Sequence, residues 1–324
     1  MCRAVHHHEL KRDVACVVRG GVMNPDPVPS TAFVFAGGGS LGAIEVGMLR
    51  ELIASGERPD CVVGASAGAI NAAYFAGRPD EEGVAMLAAL WGRIRRQDVM
   101  PFSMMGLLSM VLRNRTHLVE ARALRVLLEQ NLPYRQIEQA ALPLHIVATD
   151  MLNGREVVLS AGPVVDAVQA SAAIPGVFPP VRIGDMELVD GGVANNTPIS
   201  VAVALGVKRI VVLPAGFACA LRTPPRSAIA HATHALTLVI ARQLVRDLEL
   251  YAARVQIHVV PPLCPLEVSS YDYSQCAELI DRASRKTRAW IEGGGLGCSA
   301  IPSALLEHDH SAAPPPCGAA GPDR

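Results

Sequence analysis

Short apolar runs alternate with amphipathic stretches along most of this chain. The apolar runs predict strands at residues 32–36, 61–63, 144–148, 157–159, 187–189, 209–213 and 255–260. The helical spacing of apolar residues predicts helices at 41–55, 67–76, 81–95, 120–130, 199–205, 228–251 and 274–290. This alternation predicts an α/β fold whose central sheet is mainly parallel and covered on both faces, with functional residues at the carboxyl ends of the strands.

The two ends of the chain lack this pattern. Residues 1–29 end in a proline-rich stretch, and residues from 298 onward are rich in Ala, Pro and Gly, so neither end can bury much apolar surface. We therefore predict a flexible N-terminal tail at 1–29, one catalytic domain at 30–297 and a disordered C-terminal tail at 298–324. A chain of 324 residues that is 50% hydrophobic is long enough to bury one large core.

Composition narrows the function classes. A net charge of −1 leaves no basic excess for nucleic acid, so we expect no nucleic-acid partner. Eight cysteines without a CxxC pair indicate reduced thiols and a cytoplasmic location.

No signal peptide is recognised, and the longest uncharged apolar run, residues 99–112, is shorter than the ~20 residues of a transmembrane helix. The histidine tract at 6–8 is interpreted as a solvated tail, and no metal site is predicted.

A glycine turn follows the first predicted strand of the domain. Gly37, Gly38, Gly39 and Gly42 lie where that strand leads into a helix, so backbone N–H groups there can point at an anion or an oxyanion. The same spacing fits a dinucleotide-binding loop. That alternative requires an acid at the end of the second strand, and no acid is found there. A Walker loop is also excluded, because no Gly-Lys-Ser/Thr follows.

The second predicted strand ends in a G-x-S-x-G sequence. Gly64 and Gly68 flank Ser66 at a strand-to-helix junction, which is the context of a nucleophile elbow. Because this elbow comes one strand and one helix after the glycine turn, both motifs are expected at neighbouring strand ends. We therefore predict that Ser66 is the catalytic nucleophile.

A serine nucleophile needs a base, and Asp190 is the best-placed candidate. It follows an apolar strand and precedes Gly191 and Gly192, which allow close backbone approach. Asp150 also follows a strand, and we interpret it as structural. If Asp190 acts without an imidazole, burial must raise its pKa for the carboxylate to accept the serine proton.

Four segments taken together resemble the patatin-like phospholipases. They are Gly37-Gly38-Gly39-Ser40-Leu41-Gly42, Gly64-Ala65-Ser66-Ala67-Gly68, Ala170-Ser171-Ala172-Ala173-Ile174-Pro175-Gly176-Val177-Phe178-Pro179-Pro180 and Asp190-Gly191-Gly192. The resemblance covers about residues 30–295. It implies a three-layer α/β/α patatin-like fold and a serine esterase that cleaves lipid acyl esters without a cofactor.

The resemblance also implies roles for single residues. Ser66 and Asp190 would form a catalytic dyad, and the amides around Gly38 and Gly39 would form the oxyanion hole. The family's glycine loop often carries Lys or Arg where this chain has Leu41. The resemblance implies an enzyme of the phospholipase A or esterase type. Because Leu41 carries no charge, neutral lipids or simple esters become the expected substrates.

Residues 99–112, from Val99 to Leu112, form a methionine-rich segment flanked by arginines. The segment fits either a pliable lid that contacts a lipid surface or an internal helix, and the sequence leaves both open. A peripheral contact with a membrane is therefore retained as a prediction, with a lipid or ester as the substrate partner.

Two other readings of the chain stay open. The first is an α/β-hydrolase esterase with a Ser–Asp–His triad, for which His231, His234 or His258 would follow Asp190 in the expected order. Its elbow usually follows several strands, whereas Ser66 follows only the second. The other reading is a catalytically inactive lipid-binding protein of the same fold, against which the intact Ser66 and Asp190 argue.

Overall fold

The computed structural model describes residues 15–16, 30–99, 117, 119–216, 219–220 and 228–306, with the backbone alone at 15–16, 228–230 and 232–234. The described strands are β1 (Ala15–Cys16), β2 (Thr31–Phe35), β3 (Cys61–Ala65), β4 (Leu144–Asp150), β5 (Glu156–Leu159), β6 (Val181–Ile183), β7 (Met186–Asp190), β8 (Arg209–Leu213) and β9 (Gln256–Val259). The described α-helices are α1 (Gly42–Ala54), α2 (Ala67–Gly77), α3 (Glu81–Arg93), α4 (Arg96–Val99), α5 (Arg122–Asn131), α6 (Val164–Ser171), α7 (Gly192–Asn195), α8 (Ile199–Ala204), α9 (Ala228–Tyr251) and α10 (Cys276–Glu292).

The described strands form one mixed sheet in the order β1-β5-β4-β3-β2-β8-β9. The consecutive strands β4, β3, β2, β8 and β9 of this order run parallel to one another. Strands β5 and β7 are both antiparallel to β4, and β6 pairs only with β7. The predicted α/β fold with a mainly parallel central sheet is confirmed.

Alternating side chains along β2 divide the core into two layers. Phe33 and Phe35 point into a large apolar cluster on one face of the sheet, which also contains side chains of α1, α2, α3, α5, α6 and α10. Ala32 and Val34 point into a second cluster on the other face, together with side chains of α8 and α9. Because successive residues of a strand face opposite sides, a strand with helices on both faces must be apolar throughout. The sheet therefore lies between two helical layers, as predicted.

The elements agree with the sequence patterns to within two residues at each predicted boundary. The patterns missed the short strands β1 and β6 and the helices α4, α6 and α7. Helix α6 begins with Val164 and Val165, whose branched side chains disfavour helices slightly, yet both are buried in the larger cluster. Burial outweighs this intrinsic preference.

The predicted tails and the methionine-rich segment lie largely outside the described residues. Within the predicted N-terminal tail, Ala15 and Cys16 pair with Val157 and Val158. Within the predicted C-terminal tail, Leu305 is buried in the second apolar cluster. The domain boundaries at 29/30 and 297/298 stay predictions. Across the part of the chain that the structure describes, no helix combines the length and apolar character needed to span a membrane.

Candidate active site

Ser66 lies at a sharp turn between β3 and α2. Its backbone has φ 53° and ψ −123°, and it is the non-glycine residue with positive φ among those described. Such a conformation costs of order 1–3 kcal/mol and persists where the surroundings impose it. Gly68 allows the turn to form, since a Cβ atom there would lie 2.5 Å from the carbonyl oxygen of Phe35. The predicted elbow geometry is therefore present.

Strand β4 brings Asp190 to Ser66. Residues 144–147 of β4 pair with β3, and residues 148–150 pair with β7 in the opposite direction. Strand β5 pairs with residues 146–149 along the other edge of β4, so β3 and β7 share one edge and meet end to end. The last residue of β7 is Asp190, and Ser66 directly follows β3. The register of one strand thus sets the contact between the two side chains.

The two side chains are joined directly. Ser66 Oγ donates a hydrogen bond to Asp190 Oδ2 at 2.6 Å, and the backbone N–H of Gly192 donates to Asp190 Oδ1 at 2.7 Å. Both side chains are buried. Burial raises the pKa of Asp190 to about 6, and the two hydrogen bonds oppose that shift. The carboxylate is therefore a stronger base than an exposed aspartate and is still ionised at neutral pH.

Ser171 forms hydrogen bonds with the backbone on both the Ser66 side and the Asp190 side of this contact. The sequence patterns predicted no role for it. Its hydroxyl accepts a hydrogen bond from the Ser66 N–H at 2.9 Å and donates to the carbonyl oxygen of Val147. Its carbonyl oxygen accepts from the Gly191 N–H at 3.0 Å. The motif that contains Ser171 therefore ties the elbow to the strand that carries Asp190.

The backbone N–H groups of the four glycines predicted to form the oxyanion hole differ in their hydrogen bonding. The Gly37 N–H donates to the carbonyl oxygen of Asn196 at 2.9 Å, and the Gly42 N–H donates to the carbonyl oxygens of Gly39 and Ser40. Both N–H groups already have backbone acceptors, which does not favour them as oxyanion donors, and the role predicted for Gly37 and Gly42 stays a prediction.

Gly38 and Gly39 line the pocket beside Ser66, and no described acceptor bonds their N–H groups. Gly39 has φ 58°, and a Cβ atom there would lie 2.4 Å from the Ser270 carbonyl oxygen, so this position requires glycine. Their role as oxyanion donors stays a prediction.

A buried polar network lies beneath the glycine loop. Glu45 accepts hydrogen bonds from the Ala36 N–H at 2.7 Å and from Asn71 Nδ2 at 2.8 Å. Asn71 also donates to the Gly42 carbonyl oxygen, and Trp91 Nε1 donates to Asn71 Oδ1. Burial raises the pKa of Glu45 well above its ordinary value. Sequence patterns could not find this network, because its members lie on three different helices.

Ser66 and Asp190 open into a pocket with mainly apolar walls. Leu236, Ile240 and Leu244 form one stripe along α9, four residues apart, and Leu41 and Ile174 line other parts of the wall. Among the described residues that line the pocket there is no Lys, Arg or His. Leu41 is buried at the position where the resemblance leads one to expect a cation. The pocket suits an uncharged, apolar group.

The histidines of the rival triad do not reach this pocket within the part described. His258 is fully buried on β9, where its Nδ1 lies 3.1 Å from the carbonyl oxygen of Cys298. His231 is exposed on α9, and the side chain of His234 lies outside the described residues. His145 contacts Ser160 Oγ at 2.7 Å, and burial lowers its pKa to about 4.

Asp150, the rival strand-end acid, contacts the turn that follows β4. Its carboxylate accepts hydrogen bonds from the Leu152 N–H at 3.0 Å and from Asn153 Nδ2 at 2.7 Å. This arrangement is an Asx-type turn, in which the aspartate replaces backbone partners. The structural interpretation of Asp150 agrees with these contacts.

Among the described residues, no three His, Cys, Asp or Glu side chains come together to hold a metal ion. The prediction that the reaction needs no cofactor stays a prediction.

Comparison with known proteins identifies a family. A family model described as patatin-like phospholipase matches residues 33–203. An uncharacterized NTE family protein of Mycobacterium tuberculosis is 33% identical over 175 residues, which are 54% of this chain and 28% of that protein. Patatin-like phospholipase domain-containing protein 7 of Rattus norvegicus is 29% identical over 188 residues, which are 57% of this chain and 13% of that protein. The chain therefore spans well under half the length of these relatives.

Among solved structures, VipD from Legionella pneumophila superposes on this chain with a TM-score of 0.43 and 14% sequence identity. The superposition covers 82% of this chain and 67% of VipD. Human GIVD cytosolic phospholipase A2 superposes with a TM-score of 0.43 and 13% sequence identity. That superposition covers 87% of this chain and 61% of the human protein. At these values the likeness says nothing about activity.

Proposed function

Because the chain belongs to the patatin-like phospholipase family, we propose that it is a carboxylic ester hydrolase that cleaves acyl esters of lipids through a Ser66–Asp190 dyad. The observation that carries this proposal is the 2.6 Å hydrogen bond from Ser66 Oγ to Asp190 Oδ2, two residues that line the same mainly apolar pocket. A serine hydrogen-bonded to a buried base, in a pocket that Gly38 and Gly39 also line, supports acyl transfer.

In the proposed first step, Asp190 takes the proton of Ser66 Oγ while that oxygen attacks the ester carbonyl carbon. The carbonyl electrons move onto the oxygen, and the free N–H groups of Gly38 and Gly39 would stabilise the resulting oxyanion. When the intermediate collapses, the bond to the alkoxy group breaks and Asp190 returns the proton to the leaving alcohol. The products are an acyl ester on Ser66 and the free alcohol.

In the proposed second step, water replaces the alcohol. Asp190 accepts a proton from water as the water oxygen attacks the acyl carbon, and it returns the proton to Ser66 Oγ when the acyl bond breaks. A fatty acid leaves and the dyad is restored. One carboxylate can serve in both steps because its raised pKa, about 6, lies close to neutral pH.

A fluorophosphonate probe tests the proposal directly. Such probes modify only a serine that is activated and faces an oxyanion site. We expect one probe group per chain, attached to Ser66 and lost in Ser66→Ala, as measured by intact mass and peptide mapping. Absence of labelling at Ser66 in folded protein would favour the inactive lipid-binding alternative.

The pH dependence of turnover follows from the pKa of Asp190. The ionised carboxylate is the active form, so kcat/KM for a soluble ester is expected to rise as pH increases through about 6 and to level off above it. The measurement is an initial-rate profile from about pH 4.5 to 8.5, with Ser66→Ala as the background. A profile that is flat across this range would contradict a carboxylate base with a raised pKa.

The apolar stripe of α9 is proposed to hold the acyl chain. Replacing Ile240 by the larger Phe should narrow the pocket and lower kcat/KM for a dodecanoyl ester by about 10-fold or more relative to a butanoyl ester. Leu250→Phe, on the same helix and away from the pocket, is the matched control. An equal change for both esters would place the acyl chain elsewhere.

The Ser–Asp–His alternative gains no support from the described residues, because Asp190 contacts Ser66 without an intervening ring. The cytoplasmic location stays a prediction. The absence of a cation among the described lining residues favours neutral acyl esters over substrates whose anionic group would enter the pocket.

A further inference from the structure

One part of the wall of the Ser66 pocket comes from the C-terminal end of the described chain. The other described residues that line the pocket lie between positions 36 and 271, whereas Leu305 lies within the predicted C-terminal tail. Its side chain is 7% exposed and belongs to the second apolar cluster. The family match ends at residue 203, so this part of the wall is a feature that family membership alone does not predict.

The segment that carries Leu305 follows the strand β9. The carbonyl oxygen of Cys298 lies 3.1 Å from Nδ1 of His258 on β9. Ser299 and Ile301 then line a small cavity together with residues of β9 and of the second half of α9. Because β9 is the last strand in the order of the described sheet, the segment reaches the Ser66 pocket from that side.

A single turn of 3₁₀ helix, Ser303–Leu305, determines which of two adjacent leucines is buried. The Leu305 N–H donates to the carbonyl oxygen of Pro302 at 2.9 Å, and the Leu306 N–H donates to that of Ser303 at 3.1 Å. Leu305 lines the pocket, whereas Leu306 is 45% exposed and does not line it. The backbone of this turn therefore holds the Leu305 side chain in the wall.

The topology of the sheet places Ser66 and Leu305 on opposite sides of the pocket. Ser66 follows β3, and the order β3-β2-β8-β9 puts three strand spacings between β3 and the strand that the Leu305 segment follows. At about 4.8 Å for each spacing, these two strands are about 14 Å apart. Gly37 and Pro214, which come just after β2 and β8, line the pocket between them. An acyl group on Ser66 can therefore extend across the ends of β2 and β8 towards Leu305.

We propose that Leu305 closes the pocket at the side away from Ser66 and so sets the length of the straight acyl chain that the pocket accepts. The inference rests on the proposed function, because it requires the acyl group of an ester to occupy this pocket. Each methylene group that fits inside adds apolar burial to the bound complex. A chain that is too long must displace Leu305 or leave its end in water. Leu305 is thus a specificity-determining residue and takes no part in the chemical steps.

Two substitutions of opposite size test the proposal. The measurement is kcat/KM for a series of esters from butanoyl to hexadecanoyl. Leu305→Ala lengthens the pocket, so the ratio of the hexadecanoyl to the butanoyl value should rise by about 5-fold or more over wild type. Leu305→Trp fills the pocket, so the same ratio should fall by about 5-fold or more. Displacement of the whole segment would change both variants in the same direction, so opposite changes identify the side chain itself.

Two residues of the same segment supply matched controls. Ile301→Ala also removes apolar volume, but Ile301 lines the neighbouring cavity and does not line the Ser66 pocket. Leu306→Trp makes the same increase in size at the adjacent, exposed position. We expect the ratio of hexadecanoyl to butanoyl activity to stay within about two-fold of wild type in both controls.

Three outcomes would overturn the proposal: an unchanged ratio in both Leu305 variants, changes in the same direction, or equal changes in the controls. A second measurement is independent of hydrolysis. In Ser66→Ala protein, equilibrium dialysis should show that Leu305→Trp weakens binding of hexadecanol relative to octanol and that Leu305→Ala strengthens it. If wild type hydrolysed no ester, the proposed hydrolase would be refuted, and the binding of these uncharged alcohols alone would decide the role of Leu305.

Discussion

Replacing Asp190 with asparagine is expected to lower turnover on a soluble ester by about three to four orders of magnitude, because the amide cannot accept the proton of Ser66. The replacement keeps the shape of the side chain. Its oxygen can still accept from the Gly192 N–H, and its NH₂ group can donate to Ser66 Oγ. The loss should therefore fall on kcat, with KM little changed.

The same variant is expected to be more stable than wild type at neutral pH. Burial raises the Asp190 pKa from an ordinary value of about 3.9 in the unfolded chain to about 6 in the folded one. Between these values the folded state binds more protons, so this group lowers the free energy of unfolding as pH rises from about 4 to 6. Above pH 6 the full penalty is present, and a neutral Asn should remove about 1–3 kcal/mol of it.

Urea unfolding at pH 7.5 and pH 4 measures this effect. The stability advantage of Asp190→Asn should be present at pH 7.5 and small at pH 4. Alanine variants of His145, His231, His234 and His258 are the controls for catalysis. A folded histidine variant as inactive as the serine variant would replace the dyad with a triad. A variant of Asp190 that is destabilised at pH 7.5 would contradict the raised pKa.

Replacing Ser66 with alanine is expected to abolish turnover, with a loss of at least about four orders of magnitude, because no acyl-enzyme can form. Any residual rate would come from the pocket and the free N–H groups. Ser160→Ala is the matched control, since that hydroxyl contacts His145 and does not line the pocket. If Ser66→Ala kept half of the wild-type turnover, Ser66 would not be the nucleophile.

A second substitution of Ser66 separates the loss of catalysis from the cost of the strained backbone. Glycine is as inactive as alanine but adopts a φ of 53° freely, so Ser66→Gly should be more stable than Ser66→Ala by about 1–2 kcal/mol. The measurement is the free energy of unfolding of both variants. Equal stability would show that the elbow stores no backbone strain, while the assignment of the nucleophile would be judged by turnover alone.

Local sequence patterns are sufficient to predict the alternation of strands and helices, and hence the type of fold. Strands that are buried on both faces must be apolar throughout, so runs such as residues 209–213 could be located almost to the residue. The elbow at Ser66 could also be found, because a strained strand-to-helix turn demands small neighbours at fixed positions. Both the apolar strands and the elbow depend only on residues that are close together in the chain, so a short stretch of sequence is enough to predict them.

Which side chains come into contact depends on how the strands pair and the chain packs. Asp150 and Asp190 both end strands, but β7 abuts β3 along one edge of β4 and brings Asp190 alone to Ser66. The glycine loop shows the same dependence on distant partners. Gly37 and Gly39 look alike in the sequence, yet the Gly37 N–H is occupied by Asn196, 159 residues away in the chain. Strand register and long-range hydrogen bonds are properties of the whole packed chain, so spacing within one motif does not contain them.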